Sequence, residues 1–128
     1  MNSEHFKVGL NKAKLGLHEE AIEEFEKAVW EDPNNFEIHY NLGTAFLTLG
    51  GFDQAIISFS NALKINPNNS DALGNRSVAY LAIGDEKRSE EDKISAIKMG
   101  APPDGINTIL EFVREQRKQA NTFKQNEN

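Results

Sequence analysis

The side chains of this 128-residue chain best suited to chemistry are three histidines and a run of carboxylates, and cysteine is absent. His5 and His39 recur at a fixed interval, 39 − 5 = 34, but no third ligand follows at a spacing that would complete a metal site. Both are expected to be packed on equivalent helices, and His18 to be exposed. The absence of cysteine removes thiolate nucleophiles, disulfides and thiolate metal sites. Neither Gly-x-Ser-x-Gly, His-Glu-x-x-His nor a phosphate-cradling glycine loop occurs. Between Glu19 and Asp32 seven acids face the single Lys27, a balance of 1 − 7 = −6 that equals the charge of the whole chain, 14 − 20 = −6. These acids fall on outer helix faces rather than around a pocket, so paired-carboxylate catalysis is not expected. The chain is expected to be no enzyme and to carry no cofactor and no metal. Its acidity also argues against nucleic acid, since Arg114, Arg117, Lys118 and Lys124 are few and mixed with Glu.

What remains is recognition by hydrogen bonding. Asn41 and Asn75 each offer two donors and an acceptor, which suits the backbone of a bound peptide. Their separation is again 75 − 41 = 34. That number governs the chain: the same shift superposes His5 on His39, Gly9 on Gly43, Leu15-Gly16 on Leu49-Gly50, Ala21-Ile22 on Ala55-Ile56, Phe25 on Phe59, Ala28 on Ala62, and Pro33-Asn34-Asn35 on Pro67-Asn68-Asn69. These are eleven identities, where chance would give about two or three. A second shift keeps Asn41 with Asn75, Ala45 with Ala79, Leu47 with Leu81, Gly50 with Gly84 and Ala62 with Ala96, so a third, decayed copy follows.

Glycines 16, 50 and 84 stop helices in left-handed caps, and the Asp/Asn-Pro-Asn-Asn turns restart them. The expected helices are 3–15, 19–31, 37–49, 53–65, 71–83, 87–98 and 104–119. Gly9 and Gly43 lie inside helices, where glycine costs about 1 kcal/mol against alanine, and a closely packed neighbour would explain them. Phe25 and Phe59 are the expected knobs. In the last helix Ile106, Ile109, Leu110 and Val113 form one apolar stripe over a polar remainder, as a capping helix should. Residues 120–128 are expected to fray into a disordered tail.

With its large residue, Leu-Gly, aromatic, Ala, Phe, Ala and Pro in order, here His39, Leu42-Gly43, Phe46, Ala55, Phe59, Ala62 and Pro67, the chain resembles a tetratricopeptide repeat (TPR) protein. The first copy matches through Val8-Gly9, Ala21, Phe25, Ala28 and Pro33 but has Lys12 for the aromatic; the third has Arg76-Ser77, Ser89 and Lys93 at consensus positions. The resemblance implies an all-α, right-handed superhelical solenoid of antiparallel pairs, seven helices in all, with repeats at about 2–35, 36–69 and 70–103 inside a single domain, 1–119. It further implies a protein-interaction module, a scaffold or adaptor, whose first helices line a concave groove for a short peptide or a partner's helix. The facing positions are Lys7, Leu10 and Lys14 on the first unit, Glu37, Tyr40, Asn41, Thr44, Leu47 and Thr48 on the second, and Asp71, Asn75, Val78 and Leu81 on the third. Three helices at about 8–10 Å spacing give a groove about 20 Å across, enough for roughly six extended residues.

One co-chaperone subfamily grips the C-terminal peptide of Hsp70 or Hsp90 with a clamp of Lys, Asn, Asn, Lys and Arg. Here those positions are Phe6, Leu10, Asn41, Asp71 and Asn75, and only Asn41 fits. Asp71 would repel a carboxylate, so that partner is not expected. A chaperone for secreted or membrane-bound clients is the alternative role, and a self-associating structural unit a third. On the convex side, Glu20, Glu23, Glu24 and Trp30 would meet a basic partner, or the acids form a solvated face and Trp30 covers the N-terminal end of the core. Met1-Asn2-Ser3-Glu4 leads into a charged amphipathic segment. No apolar run approaches the roughly 18 or more consecutive positions that a membrane span needs. A cytoplasmic protein without membrane insertion, monomeric or weakly dimeric, is therefore expected.

Overall fold

The computed structural model describes residues 3–127, and Met1, Asn2 and Asn128 lie outside the described residues. Seven helices follow in order: α1 (Glu4–Lys14), α2 (His18–Glu31), α3 (Phe36–Thr48), α4 (Phe52–Ile65), α5 (Ser70–Ala82), α6 (Glu86–Lys98) and α7 (Pro103–Asn126). Among the described residues no strand forms. The fold is an all-α solenoid of helix pairs.

The loops repeat as the sequence does. Gly16, Gly50 and Gly84 take φ of 78°, 79° and 89°, and the residue after each donates back across the turn, Leu17 to Lys12 at 2.9 Å, Gly51 to Phe46 at 2.8 Å and Asp85 to Tyr80 at 2.9 Å. The last asparagine of each Pro-Asn-Asn turn caps the next helix: Asn35 Oδ1 accepts from the Glu37 amide at 3.0 Å and Asn69 Oδ1 from the Ala72 amide at 2.9 Å.

Each of the first two pairs locks by a ring against a bare backbone. A Cβ on Gly9 would sit 2.6 Å from the Phe25 ring, and one on Gly43 would sit 2.7 Å from Phe59; both rings are wholly buried. The third pair has no such ring. Ser77, at the position of Gly43, instead donates to the Ser89 carbonyl at 2.8 Å and lies 3.1 Å from its hydroxyl, so a buried hydrogen-bonded pair replaces the knob. Gly43→Ala is therefore expected to lose about 1–3 kcal/mol by overpacking, although alanine is the better helix former. Gly74→Ala is the control: its Cβ meets only Ile106 at 3.6 Å, and it should gain up to about 1 kcal/mol. Thermal unfolding of the two variants checks the difference in sign.

α7 keeps the period but departs from the packing of the earlier units and from the expected length. It continues through residues 120–126, where the sequence suggests a frayed tail. It packs on α5 and leaves α6 largely uncovered, although α3 and α5 each settle closely on the second helix of the preceding pair. Ile106 and Leu110 are buried with Leu63, Leu73 and Leu81, whereas Ile109, expected in the same packed stripe, is half in water at 51% exposure. Arg117, expected in the wet face, fastens the helix instead: its Nη1 donates to the Ala82 carbonyl at 2.8 Å, near the negative end of α5.

Candidate functional site

Two contiguous hollows lie on the α5 flank and share Val78. The first, about 230 Å³, runs from Ser70 and Asp71 past Asn75 to Ile106 and Ile109; the second, about 380 Å³, is bounded by Val78 and Ala82 on α5, Phe112, Gln116 and Ala120 on α7, and Phe52 at the start of α4. Together they form a trough with α5 as floor and α7 as wall. The wall has a helical reason: Ile109, Phe112, Gln116 and Ala120 recur at i, i+3, i+7 and i+11, beside the stripe that packs on α5. Ile109 and Phe112 are exposed, Phe112 at 64%.

The sequence-derived groove residues divide by helix. Asp71, Asn75 and Val78 line the trough. Tyr40 joins it through its hydroxyl, which accepts from Asn75 Nδ2 at 3.1 Å. The helical-face reading leaves Asn75 free and facing solvent; it is half-buried with its amide engaged. Burial, with Asp71 second, pushes the Tyr40 phenol above its ordinary value, so it remains a neutral hydroxyl at physiological pH. Asn41 Nδ2 donates to the Glu37 carbonyl at 2.8 Å, leaving its Oδ1 as an acceptor. Thr44 and Thr48 return their hydroxyls to the helix, to the carbonyls of Tyr40 at 3.0 Å and Thr44 at 2.9 Å.

Leu81 is a correction: at 1% exposure it is core, covered by the α7 packing, and offers nothing to a ligand. Leu47 and Leu10 are half-buried against the Phe59 and Phe25 clusters respectively. Lys7, Lys14, Glu37 and Thr48 are exposed but border neither hollow. Sequence reasoning misses Ile109 as a wall residue, along with Phe112, Gln116 and Phe52. The signal that finds two of them is the repeat itself, since one more shift of 34 puts Ile109 and Phe112 at the positions of Asn75 and Val78.

His39 packs as expected, buried at 6%, with Nε2 donating to the Pro33 carbonyl at 2.7 Å. His5 is paired rather than packed: its Nδ1 donates to Glu24 at 2.7 Å, and that bond holds the Glu24 carboxyl below the usual carboxylate range. Glu24 is thus already engaged within the chain, and Glu20 meets Lys12 at 3.1 Å. His18 is half-buried rather than exposed, its Nδ1 without a partner among the described residues. Among the described residues no cluster of three or more His, Asp or Glu could hold a metal, and no helix is long and apolar enough to cross a membrane.

Family models described as TPR repeat and Tetratricopeptide repeat match residues 9–50, 36–69 and 58–91. The chain belongs to the tetratricopeptide repeat family. Comparison of this TPR chain with solved structures finds MamA AMB-1, 26% identical with a TM-score of 0.72, over 78% of this chain and 56% of that one. The TPR chain thus spans little more than half of MamA. The first TPR of Spaghetti (RPAP3) bound to HSP90 peptide SRMEEVD gives 0.79 at 20% identity, over 89% and 90% of the two chains. PcrH in complex with the chaperone binding region of PopD gives 0.77 at 21% identity, over 89% and 91%. The last two likenesses are of fold alone. No curated protein matches the TPR chain by sequence.

Proposed function

We infer that this TPR domain is a protein-interaction module that holds an apolar segment of a partner protein, a short peptide or one helix, in the trough between α5 and α7. The observation that carries the reading is the row of exposed apolar side chains, Ile109 and Phe112, facing Val78 across an open hollow. Asn75, bonded to Tyr40, lines the trough, and Asn41 offers an accepting Oδ1 on α3 outside the two hollows; both supply polar contacts for a peptide backbone. A role as scaffold or adaptor follows. Folds like this one hold an HSP90 peptide in the RPAP3 structure and the chaperone binding region of PopD in the PcrH structure, and the chaperone role would use the same trough for a client segment. Phe6, Leu10 and Asp71 at the carboxylate-clamp positions disfavour an Hsp90-type C-terminal peptide as the occupant.

The test is affinity capture followed by titration of the captured partner. Ile109→Asp combined with Phe112→Asp alters side chains already in water, so the melting temperature should hold while partner affinity falls at least tenfold. Asn41→Ala should weaken binding about 2- to 13-fold through the loss of one hydrogen bond of about 0.5–1.5 kcal/mol. Undiminished binding by the Asp pair would remove the trough as the site.

A further inference from the structure

The repeat provides an internal control for the convex side, because each inter-repeat cleft has a counterpart one period away. Between α4 and α6 the cleft is occupied by the chain itself. Arg76 Nε and Nη2 each donate to an Asp92 carboxylate oxygen at 2.8 Å, and Nη1 donates to Ser60 Oγ at 3.1 Å. The guanidinium lies 5.6 Å from the Tyr80 ring, with Arg88 at 6.0 Å.

Between α2 and α4 the corresponding side chains are Leu42 for Arg76, Ser58 for Asp92, Glu26 for Ser60, Phe46 for Tyr80 and Gln54 for Arg88. Among the described residues no ion pair reaches across there. The result is an open hollow of about 350 Å³ lined by those five residues together with Val29, His39, Trp30, Ile57 and Asn61. Its rim is apolar where the other is charged. Trp30, 90% exposed, stands where the next repeat has Lys64, and Ile57, 61% exposed, where it has Glu91.

The charge beside the hollow is one-sided. Glu19, Glu23, Glu26 and Trp30 recur at i, i+4, i+7 and i+11, one exposed stripe along α2. Among the described residues none of these three acids has a cation within ion-pair distance, in contrast to Glu20 and Glu24. A second copy of the chain brings a net charge of −6 to this acidic face and is repelled by it.

We propose that the α2–α4 cleft docks a basic amphipathic segment of a partner protein. An apolar side chain seats on Leu42 and Phe46 between Trp30 and Ile57, while an arginine of the same segment meets Glu26 and Glu23. The site is separate from the trough, so one domain holds two protein segments on different faces.

Trp30 is the sole tryptophan, so its emission reports occupancy directly. The probe is a synthetic helix-forming peptide with leucines on one face and arginines beside them; the control carries Glu at every Arg position. The arginine peptide is expected to shift Trp30 emission to the blue, saturably, and to bind more weakly as salt rises. Ile57→Glu and Glu26→Lys, both on exposed positions, should each weaken it at least tenfold while circular dichroism is unchanged. The Ile109→Asp, Phe112→Asp variant should bind it as the parent does. The proposal is overturned by an unmoved emission, by equal binding of the Glu peptide, or by undiminished affinity in Ile57→Glu. It is likewise overturned by loss of binding only in the trough variant, or by a blue shift that grows with protein concentration without peptide, which would mark a second copy as the occupant.

Discussion

Denaturant unfolding of an Arg76→Ala variant is expected to show a loss of about 3–5 kcal/mol, because a buried carboxylate is left without its partner. Asp92 is 6% exposed, and both of its oxygens accept from Arg76 at 2.8 Å. The hydrogen bond to Asp92 also raises the Arg76 pKa against the opposing effect of burial, so the guanidinium stays charged throughout any working pH range. The informative companion is Arg76→Leu with Asp92→Ser, which installs the residues found one repeat earlier at Leu42 and Ser58. Removing both charges together leaves no unpaired charge, only the Ser60 hydroxyl without its donor, and most of the lost stability should return. Equal stability of parent and Arg76→Ala would mean that this network does not seal the second junction.

Ending the chain at Pro102 should have an effect at least as large. α7 contributes Ile106 and Leu110, 7% and 4% exposed, to the cluster around Leu73 and Leu81. Two buried side chains at about 1.5–3 kcal/mol each give about 3–6 kcal/mol, before the Arg117 bond to Ala82 is counted. The side chains brought to water are Leu73 and Leu81. Of Ile94 and Ile97, which the sequence suggests the cap would cover, Ile97 packs against this cluster, whereas Ile94 is already 58% exposed because α7 lies on α5. A lower melting temperature and concentration-dependent mass are expected. A truncated chain that melts like the parent and stays monomeric would show that α7 is not part of the core.

The first six helices are legible to within a residue at either end, because their limits are set by local chemistry: a glycine that accepts positive φ, and an asparagine that caps after proline. The ring-on-glycine lock is legible for the same reason, since a mid-helix glycine that recurs once per period with a phenylalanine at fixed offset needs a packing cause. Periodicity fails where the packing departs from it. A further shift of 34 does place Ile109 and Phe112 on the groove face, at the positions of Asn75 and Val78, but it does not show that α7 packs on α5 instead of α6, and analogy with Leu47 puts Leu81 on the groove when it belongs to the core. The Asn75–Tyr40 bond is hidden for another reason: it joins helices of different repeats, which the face of a single helix does not reveal. Trp30 is visible as a residue out of pattern, but its exposure depends on how the end of α2 is turned.

The claim that the trough is the partner site is tested most directly by amide hydrogen exchange of the intact chain, alone and saturated with its captured partner. Added protection is predicted along α5 from Asp71 to Ala82 and along α7 from Ile109 to Ala120, with α2 unchanged unless a second segment is bound. Protection that leaves both α5 and α7 at their free-state rates while the partner is bound would contradict it.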